Sequence, residues 1–130
     1  MATTTDRPYG IQQGAALTRE LIFSDLGLTT PLSVAAGGTL ATPVIETYDY
    51  KYFALGATAS GALSVSVQEY LDVAGTVPQG AALTASVTAA GALNVNSAGD
   101  VVFRSIKITF SNSGTAAVTL DLLRLVLRAM

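Results

Sequence analysis

The sequence predicts an all-β protein, an antiparallel β-sandwich of the jelly-roll kind that carries an extended N-terminal arm. Two observations favour this fold class. Several short runs alternate apolar and polar residues, as half-buried strands do, and Gly-, Asn- and Ser-rich turns separate those runs at modest spacing. An immunoglobulin-like sandwich has the same signals, so the strand order stays open at this point.

The chain of 130 residues is long enough for one domain, which we place at residues 21–130. Residues 1–20 are polar, rich in Thr and Gly, and without strand alternation. They are expected to form an extended arm that a partner orders. The first strands of the body are predicted in LIFSDL, PLSVAA and GTLATPVIE, where Pro31 and Pro43 favour strand ends.

The next two strands are predicted in ETYDYKYFAL and GALSVSVQEY, with GATASG at residues 56–61 as a hairpin-like loop between them. Alternation places Tyr48, Tyr50 and Tyr52 on one face of the first strand. Such a row has three interpretations: it packs in the core, it contacts a second subunit, or it forms a platform for a sugar ring. The sequence leaves all three open.

The clearest strand periodicity lies near the C-terminus, where Val102, Ile106, Ile108 and Phe110 share one face. Before it, VTAAGALNVNSAGDVV at residues 87–102 is interpreted as short strands joined by Gly turns. After it, SNSGT at residues 111–115 supplies turn residues and predicts a hairpin to the last strand.

The last strand changes its apolar phase between Leu122 and Leu123. Either a β-bulge shifts the register there, or the strand passes from the core into a contact with a neighbouring subunit. In the second case Leu123, Leu125 and Leu127 form a row suited to an oligomer interface. The preceding TAAVTL favours an extended strand over a helix for LDLLRLVLR, although Leu and Arg also suit helices.

Three arginines lie in this C-terminal region, at Arg104, Arg124 and Arg128. They either form a solvated ion-pair face with Asp100 and Asp121, in which each pair contributes little, or bind acidic groups of a neighbouring protein. The sequence favours the solvated face.

The composition requires a place to bury apolar surface, because 50% of the residues are hydrophobic and 12% are charged. Residues 73–99 carry no charge, but proline, glycine and polar residues interrupt them and argue against a membrane span. The N-terminus also lacks the basic and apolar regions of a signal peptide. A subunit interface is therefore the leading explanation, and the many small alanines are the alternative.

The residue types exclude most catalytic chemistry. Histidine and cysteine are absent, which removes Ser-His and Cys-His nucleophiles and ordinary zinc sites. The carboxylates are mostly isolated; Glu69 and Asp72 come closest to a cluster and are interpreted as a solvated strand end rather than a metal site. A net charge of −2 gives no basic face for nucleic acid. We expect a protein without enzymatic activity, cofactor or metal.

As a whole, the polar arm, the Ala/Gly/Thr-rich strands and the closing VVFRSIKITFSNSGTAAVTLDLLRLVL resemble tailed-bacteriophage capsid decoration, or cement, proteins. The resemblance covers residues 21–130 loosely and contains no diagnostic motif. It implies a homotrimer that is made in the host cytoplasm and binds the major capsid protein on the outer surface of the virion. It implies no nucleic-acid or membrane partner and no small-molecule ligand.

The resemblance also implies which residues make contacts. The arm would bind the capsid through Arg7, Tyr9, Ile11, Gln12 and Arg19. The oligomer would form through Tyr48, Tyr50, Tyr52, Leu123, Leu125 and Leu127. An alternative function is a carbohydrate- or receptor-binding module of a phage tail, neck or fibre, which would use the tyrosine face or the loops at one end of the sandwich.

Overall fold

The computed structural model describes residues 18–28, 32–48, 50–98 and 101–129, and within them ten strands form two antiparallel sheets. The strands in chain order are β1 Thr18–Leu21, β2 Leu32–Val34, β3 Thr39–Ala41, β4 Ile45–Glu46, β5 Tyr52–Ala59, β6 Leu63–Tyr70, β7 Leu83–Val87, β8 Gly91–Asn96, β9 Ser105–Ser111 and β10 Val118–Arg128. No helix of this described part is long and apolar enough to cross a membrane.

In sheet A, β1 and β2 both pair with β10, which pairs on its other edge with β5, and β5 pairs with β8. In sheet B, β3 and β4 both pair with β9, which pairs with β6, and β6 pairs with β7. Most connections cross from one sheet to the other. This topology is that of a jelly roll, and it confirms the predicted fold class.

Both predicted hairpins are wrong, since each turn joins the two sheets instead of two neighbouring strands. β5 lies in sheet A and β6 in sheet B, and β5 continues to Ala59 through most of GATASG. β9 and β10 are likewise in different sheets, on either side of residues 112–117. Turn residues reverse the direction of the chain, but they do not decide which strand becomes the hydrogen-bonding partner.

Alternation along the strands builds the core. Leu63, Val65 and Val67 of β6 point inward and are buried, as predicted. On β9, Ile106, Ile108 and Phe110 are also buried, but the strand begins at Ser105, and Val102, which the same pattern includes, is exposed.

The predicted bulge in β10 is confirmed. Asp121 lies opposite Thr58 and Arg124 opposite Gly56, so Leu122 and Leu123 together oppose a single residue of β5. Leu122 adopts a positive φ of 56° and is 70% exposed, which allows Leu123 to enter the core.

The bulge corrects the prediction of an oligomer contact at Leu123, Leu125 and Leu127. All three side chains are 0% exposed within the single chain, packed in the core. A second copy could not reach them, so the apolar row completes the sandwich and is not an interface.

The predicted tyrosine row does not form, because β5 begins only at Tyr52. Tyr48 lies in a turn with a positive φ of 50° and is 59% exposed. Tyr50 is partly buried and packs against the core. The three rings therefore do not share one strand face.

The N-terminal part also differs from the prediction. LIFSDL is not a strand: a short 3₁₀ helix occupies Ser24–Leu26, and the Asp25 carboxylate accepts a hydrogen bond of 3.0 Å from the Ile22 N–H. The sheet begins inside the predicted arm, because Thr18–Leu21 forms β1. Arg19 is exposed on β1, opposite Leu127. The other predicted arm residues, Arg7, Tyr9, Ile11 and Gln12, lie outside the described residues.

Candidate functional site

An open depression of about 330 Å³ lies on the outer face of sheet A, near the ends of β5, β8 and β10. Its lining residues lie on three neighbouring strands that are far apart in the sequence, or directly after the end of β8. They are Tyr52, Phe53, Ala54, Asn96, Ser97, Val126 and Arg128. Ligand sites in proteins are concave surfaces of this kind, with apolar walls and a few convergent polar groups.

Strand pairing explains why this part of the face is hollow. Ala54 lies between Val126 of β10 and Asn96 of β8, so a methyl group forms the floor between two larger side chains. The next outward-facing residue of β5 after Ala54 is Gly56, which lies opposite Asn94 of β8. A Cβ at Gly56 would lie 3.1 Å from the Asn94 Nδ2. The Asn94 amide therefore lies close against the bare backbone of Gly56.

One rim of the depression is a stacked pair. Tyr52 and Arg128 are directly paired positions of β5 and β10, and the Arg128 Cζ lies 4.8 Å from the centroid of the tyrosine ring. A guanidinium over an aromatic ring is attracted by the negative face of the ring. The contact brings a half-buried aromatic ring and a cationic donor group to the same rim.

The rim beside β8 is fixed by backbone contacts. The Ser97 hydroxyl accepts a hydrogen bond of 2.9 Å from the Phe53 N–H, and the Ser97 N–H donates one of 3.0 Å to the Phe53 carbonyl. Beneath the sheet, the Phe53 ring meets Phe103 edge-to-face with 5.8 Å between centroids. The depression is thus held by the sheet and by the core below it.

The arginine cluster forms a different ion pair from those predicted. The Arg124 Nε lies 2.7 Å from the Glu20 Oε2, and the side chains are 45% and 61% exposed. A pair this exposed contributes little to stability. Of the two predicted partners, Asp121 is exposed, and Asp100 lies outside the described residues.

The outer face of sheet B has a different chemistry. Its cross-strand rows consist mainly of hydroxyl side chains, such as Ser111–Ser64–Ser86 and Thr109–Ser66–Thr84. A second open hollow of about 260 Å³ lies at this face, lined partly by Ser64, Ser86 and Ser111. None of its lining residues is aromatic or charged, so it offers less for recognition than the depression on sheet A.

Glu69 does not form the solvated strand end predicted for it. It follows Val67 in the inward-facing row of β6 and is 3% exposed, and its Oε2 has no hydrogen-bond partner among the described residues. Burial raises the pKa of this carboxyl above its ordinary value.

Asp72 differs from Glu69 because its carboxylate accepts several hydrogen bonds. Its carboxylate accepts hydrogen bonds of 2.9 Å from each of the Thr76 and Val77 N–H groups, and another from the Thr76 hydroxyl. The bonds from the Thr76 hydroxyl and from the Val77 N–H lower its pKa. The described residues contain no group of three or more Asp, Glu, His or Cys that could hold a metal ion.

Asn94 and Asn96 are not among the residues predicted for a site. Their signal was present in the alternation of GALNVN, which buries Leu93 and Val95 and leaves both asparagines on the outer face. What the pattern could not show is that β8 pairs with β5, which brings Asn96 opposite Ala54.

No protein-family model matches this chain, and no curated protein matches it. Among solved structures, the enzymatically active domain of tailspike protein 4 of bacteriophage CBA120 has a TM-score of 0.51 at 16% identity, covering 85% of this chain and 17% of that chain. The protein PirA has a TM-score of 0.46 at 12% identity, covering 89% of this chain and 96% of that chain. A family 16 carbohydrate-binding module has a TM-score of 0.46 at 14% identity, covering 72% of this chain and 73% of that chain.

These likenesses concern the fold. The tailspike match shows that the β-sandwich of this chain also occurs as one part of a much longer phage protein, since this chain spans 17% of it.

Proposed function

We propose that this chain is a carbohydrate-binding module without enzymatic activity, whose ligand lies in the depression on sheet A. The observation that carries the proposal is the placement of the Tyr52 ring and the Asn96 amide around a floor made by Ala54. No named residue of the depression is a carboxylate, which fits binding better than acid–base chemistry.

Sugar recognition needs two kinds of group, and both lie at this surface. A sugar ring presents an apolar C–H face, which packs on an aromatic ring such as Tyr52. It also presents neighbouring hydroxyls, which suit a side chain that both donates and accepts, such as Asn96, or a planar donor, such as Arg128. The volume of about 330 Å³ is at the lower end for ligand sites and suits a short stretch of a glycan.

The proposed location is a phage tail, neck or fibre, where a binding module would contact the polysaccharide of a cell surface. The sequence resemblance to phage structural proteins supports this location. The tailspike likeness supports the β-sandwich and is silent about the ligand, so the glycan proposal rests on the depression itself.

The first experiment is a screen of the purified chain on an array of bacterial polysaccharides and plant and animal oligosaccharides, followed by calorimetry on each hit. Tyr52→Ala and Asn96→Ala should each weaken binding of the hit by about tenfold or more, as hot-spot truncations do.

Tyr48→Ala is the matched control, because Tyr48 is an exposed tyrosine on a turn and is not among the lining residues. It should bind the same glycan as the wild type does. Absence of any glycan binding, or binding that both Tyr52→Ala and Asn96→Ala leave unchanged, would contradict the proposal.

A capsid decoration protein is the second candidate, and an exposed apolar end of the sandwich favours it. The exposed apolar side chains there are Tyr48, Leu71, Val73, Val77 and Val102. Backbone hydrogen bonds connect their loops, from the Thr47 N–H to the Arg104 carbonyl and from the Arg104 N–H to the Tyr70 carbonyl. Such a surface suits a protein partner better than a glycan.

In this second proposal a homotrimer, made in the host cytoplasm, binds the major capsid protein on the virion surface. Val102→Asp should then reduce co-sedimentation with phage heads, while Asn96→Ala should leave it unchanged. Deletion of residues 2–14 should also weaken attachment, because the arm adds contact area on the capsid. Equal co-sedimentation of wild type and Val102→Asp would contradict a contact through this end.

A further inference from the structure

The two sides of the sandwich differ in how they protect the edges of the sheets. On one side, each edge is divided between two short strands, β1 and β2 in sheet A and β3 and β4 in sheet B. Charged residues lie on these strands at Arg19, Glu20 and Glu46, and Pro43 separates β3 from β4. Breaks, charges and proline are the means by which proteins prevent edge strands from pairing with other chains.

The opposite side lacks these features. Its edges are β7 and β8, which are unbroken strands of 5 and 6 residues. Both fall within residues 73–99, which carry no charge. Among the described strands, β7 pairs only with β6, so its other row of backbone N–H and C=O groups faces away from the sheet.

The burial pattern distinguishes β7 from β8. Leu83, Ala85 and Val87 face the interior from β7 but are only half buried, whereas their partners on β6 are buried. On β8, the inward-facing Leu93 and Val95 are buried. Apolar area therefore remains uncovered at the same edge that carries unpaired backbone groups, and a further strand beside β7 would cover both.

We propose that β7 pairs in antiparallel fashion with β7 of a second copy of this chain. Antiparallel pairing of a strand with itself has a two-fold axis, which we place at Ala85, the middle residue of β7. Leu83 then lies opposite Val87 of the second copy on the inner face, and Thr84 lies opposite Ser86 on the outer face. Apolar and hydroxyl cross-strand pairs of this kind stabilise sheets.

The charge pattern agrees with a second copy as the occupant, and the size of the contact predicts how strongly that copy is bound. A self-pairing interface brings the charges of one copy close to the like charges of the other, and β7 carries no charge that would be repelled in this way. A contact between two five-residue strands buries less surface than the roughly 1,200 Å² of stable interfaces. The fraction of dimer should therefore depend on protein concentration. The proposal is independent of glycan binding, because the depression lies on sheet A.

The test is the solution mass by light scattering after size exclusion, over a dilution series from about 10 µM to 1 mM. The wild type should rise from the 13.3 kDa monomer towards twice that mass. Thr84→Lys combined with Ser86→Lys should stay monomeric, because both exposed positions would face like charges across the axis. Thr39→Lys, an exposed position on the opposite edge of sheet B, should dimerise as the wild type does.

A second variant tests the register directly. The chain has no cysteine, so Ala85→Cys introduces one thiol per copy. Directly opposed residues of antiparallel strands have Cα atoms about 4.5–5.5 Å apart, within the range that a disulfide spans. Oxidation should therefore give a disulfide-linked dimer with Ala85→Cys and not with Ala41→Cys on β3.

Four outcomes would overturn the proposal. They are a wild type that stays monomeric at the highest concentration, a trimeric mass, a dimer that the two lysines leave unchanged, and an Ala85→Cys variant that forms no more covalent dimer than Ala41→Cys does. A trimer would instead support the oligomer implied by the capsid resemblance, and would require a surface other than β7.

Discussion

The guanidinium of Arg128 lies over the ring of Tyr52, with 4.8 Å between Cζ and the ring centroid. The two residues are direct cross-strand partners, so the register between β10 and β5 fixes the contact. That register depends on the bulge at Leu122, which lies six residues before Arg128 on β10. The bulge in β10 therefore determines which residue lies beside Tyr52 at the rim of the depression.

The stacked pair should contribute measurable stability. A double-mutant cycle with Tyr52→Leu and Arg128→Met is expected to give a coupling free energy of about 0.5–1 kcal/mol, the range for exposed cation–π pairs. Urea unfolding followed by circular dichroism measures it. The cycle Glu20→Gln with Arg124→Met serves as the comparison, since that pair is exposed and should lose its coupling in high salt. Zero coupling between Tyr52 and Arg128 would show that the stacking is energetically neutral.

Because of the bulge, substitutions at two adjacent leucines should change the free energy of unfolding in different ways. Leu123→Ala should cost about 2–5 kcal/mol of unfolding free energy, because it leaves a cavity at a fully buried site. Leu122→Gly should be neutral or stabilise by up to about 1 kcal/mol, because glycine tolerates the positive φ of 56° at this exposed position. The measurement is the same urea titration for both variants. Equal losses at the two positions would contradict the bulge.

Strand faces could be predicted from this sequence, but the partners of the strands could not. The alternation of β6 and the phase change in β10 are local, because each depends only on which side of one strand meets the core. Whether β5 pairs with β6 or crosses to the other sheet depends on the packing of two complete sheets. A Gly- and Ser-containing turn is compatible with both outcomes.

The same limit applies to the candidate site. The sequence points to Tyr52 and Arg128 as separate residues. The depression also needs Asn96 beside Ala54, and these two residues, 42 positions apart, meet only through the pairing of β5 with β8. The small size of Ala54 is what creates the hollow, and a lone alanine carries no signal in a chain this rich in alanine. The tyrosine row failed for a related reason: Tyr48 has a positive φ, which ends any strand alternation there.

Asn112 should be essential for the corner between β9 and β10. The side chain is 2% exposed. Its Nδ2 donates to the Val34 and Ala116 carbonyls at 3.1 and 2.8 Å, and its Oδ1 accepts from the Gly114 N–H at 2.9 Å. Asn112→Ala should destabilise the fold by about 2–3 kcal/mol, since it leaves buried backbone groups without partners. Ser113→Ala, in the same turn, should change the unfolding free energy by less than about 0.5 kcal/mol. A small effect at Asn112 would show that water replaces its hydrogen bonds.

Glu69 should make the stability of the protein depend on pH in the direction opposite to most carboxylates. Because burial raises its folded pKa above the ordinary value of 4.5, the folded state binds this proton more tightly than the unfolded state does. Its contribution to stability is therefore fully present below pH 4.5 and is lost as the pH rises through the folded pKa.

Glu69→Gln removes this titration while it keeps the shape of the side chain. The free energy of unfolding of the variant should equal that of the wild type at about pH 3. At neutral pH it should be higher by about 1 kcal/mol, because the wild type then holds a charged carboxylate whose Oε2 has no partner among the described residues. Urea midpoints measured at intervals across this range test the prediction, because the difference must grow as the pH rises. A difference of constant size would show that the substitution acts through packing, and a variant less stable at neutral pH would show that the ionised carboxylate is stabilised in the folded state.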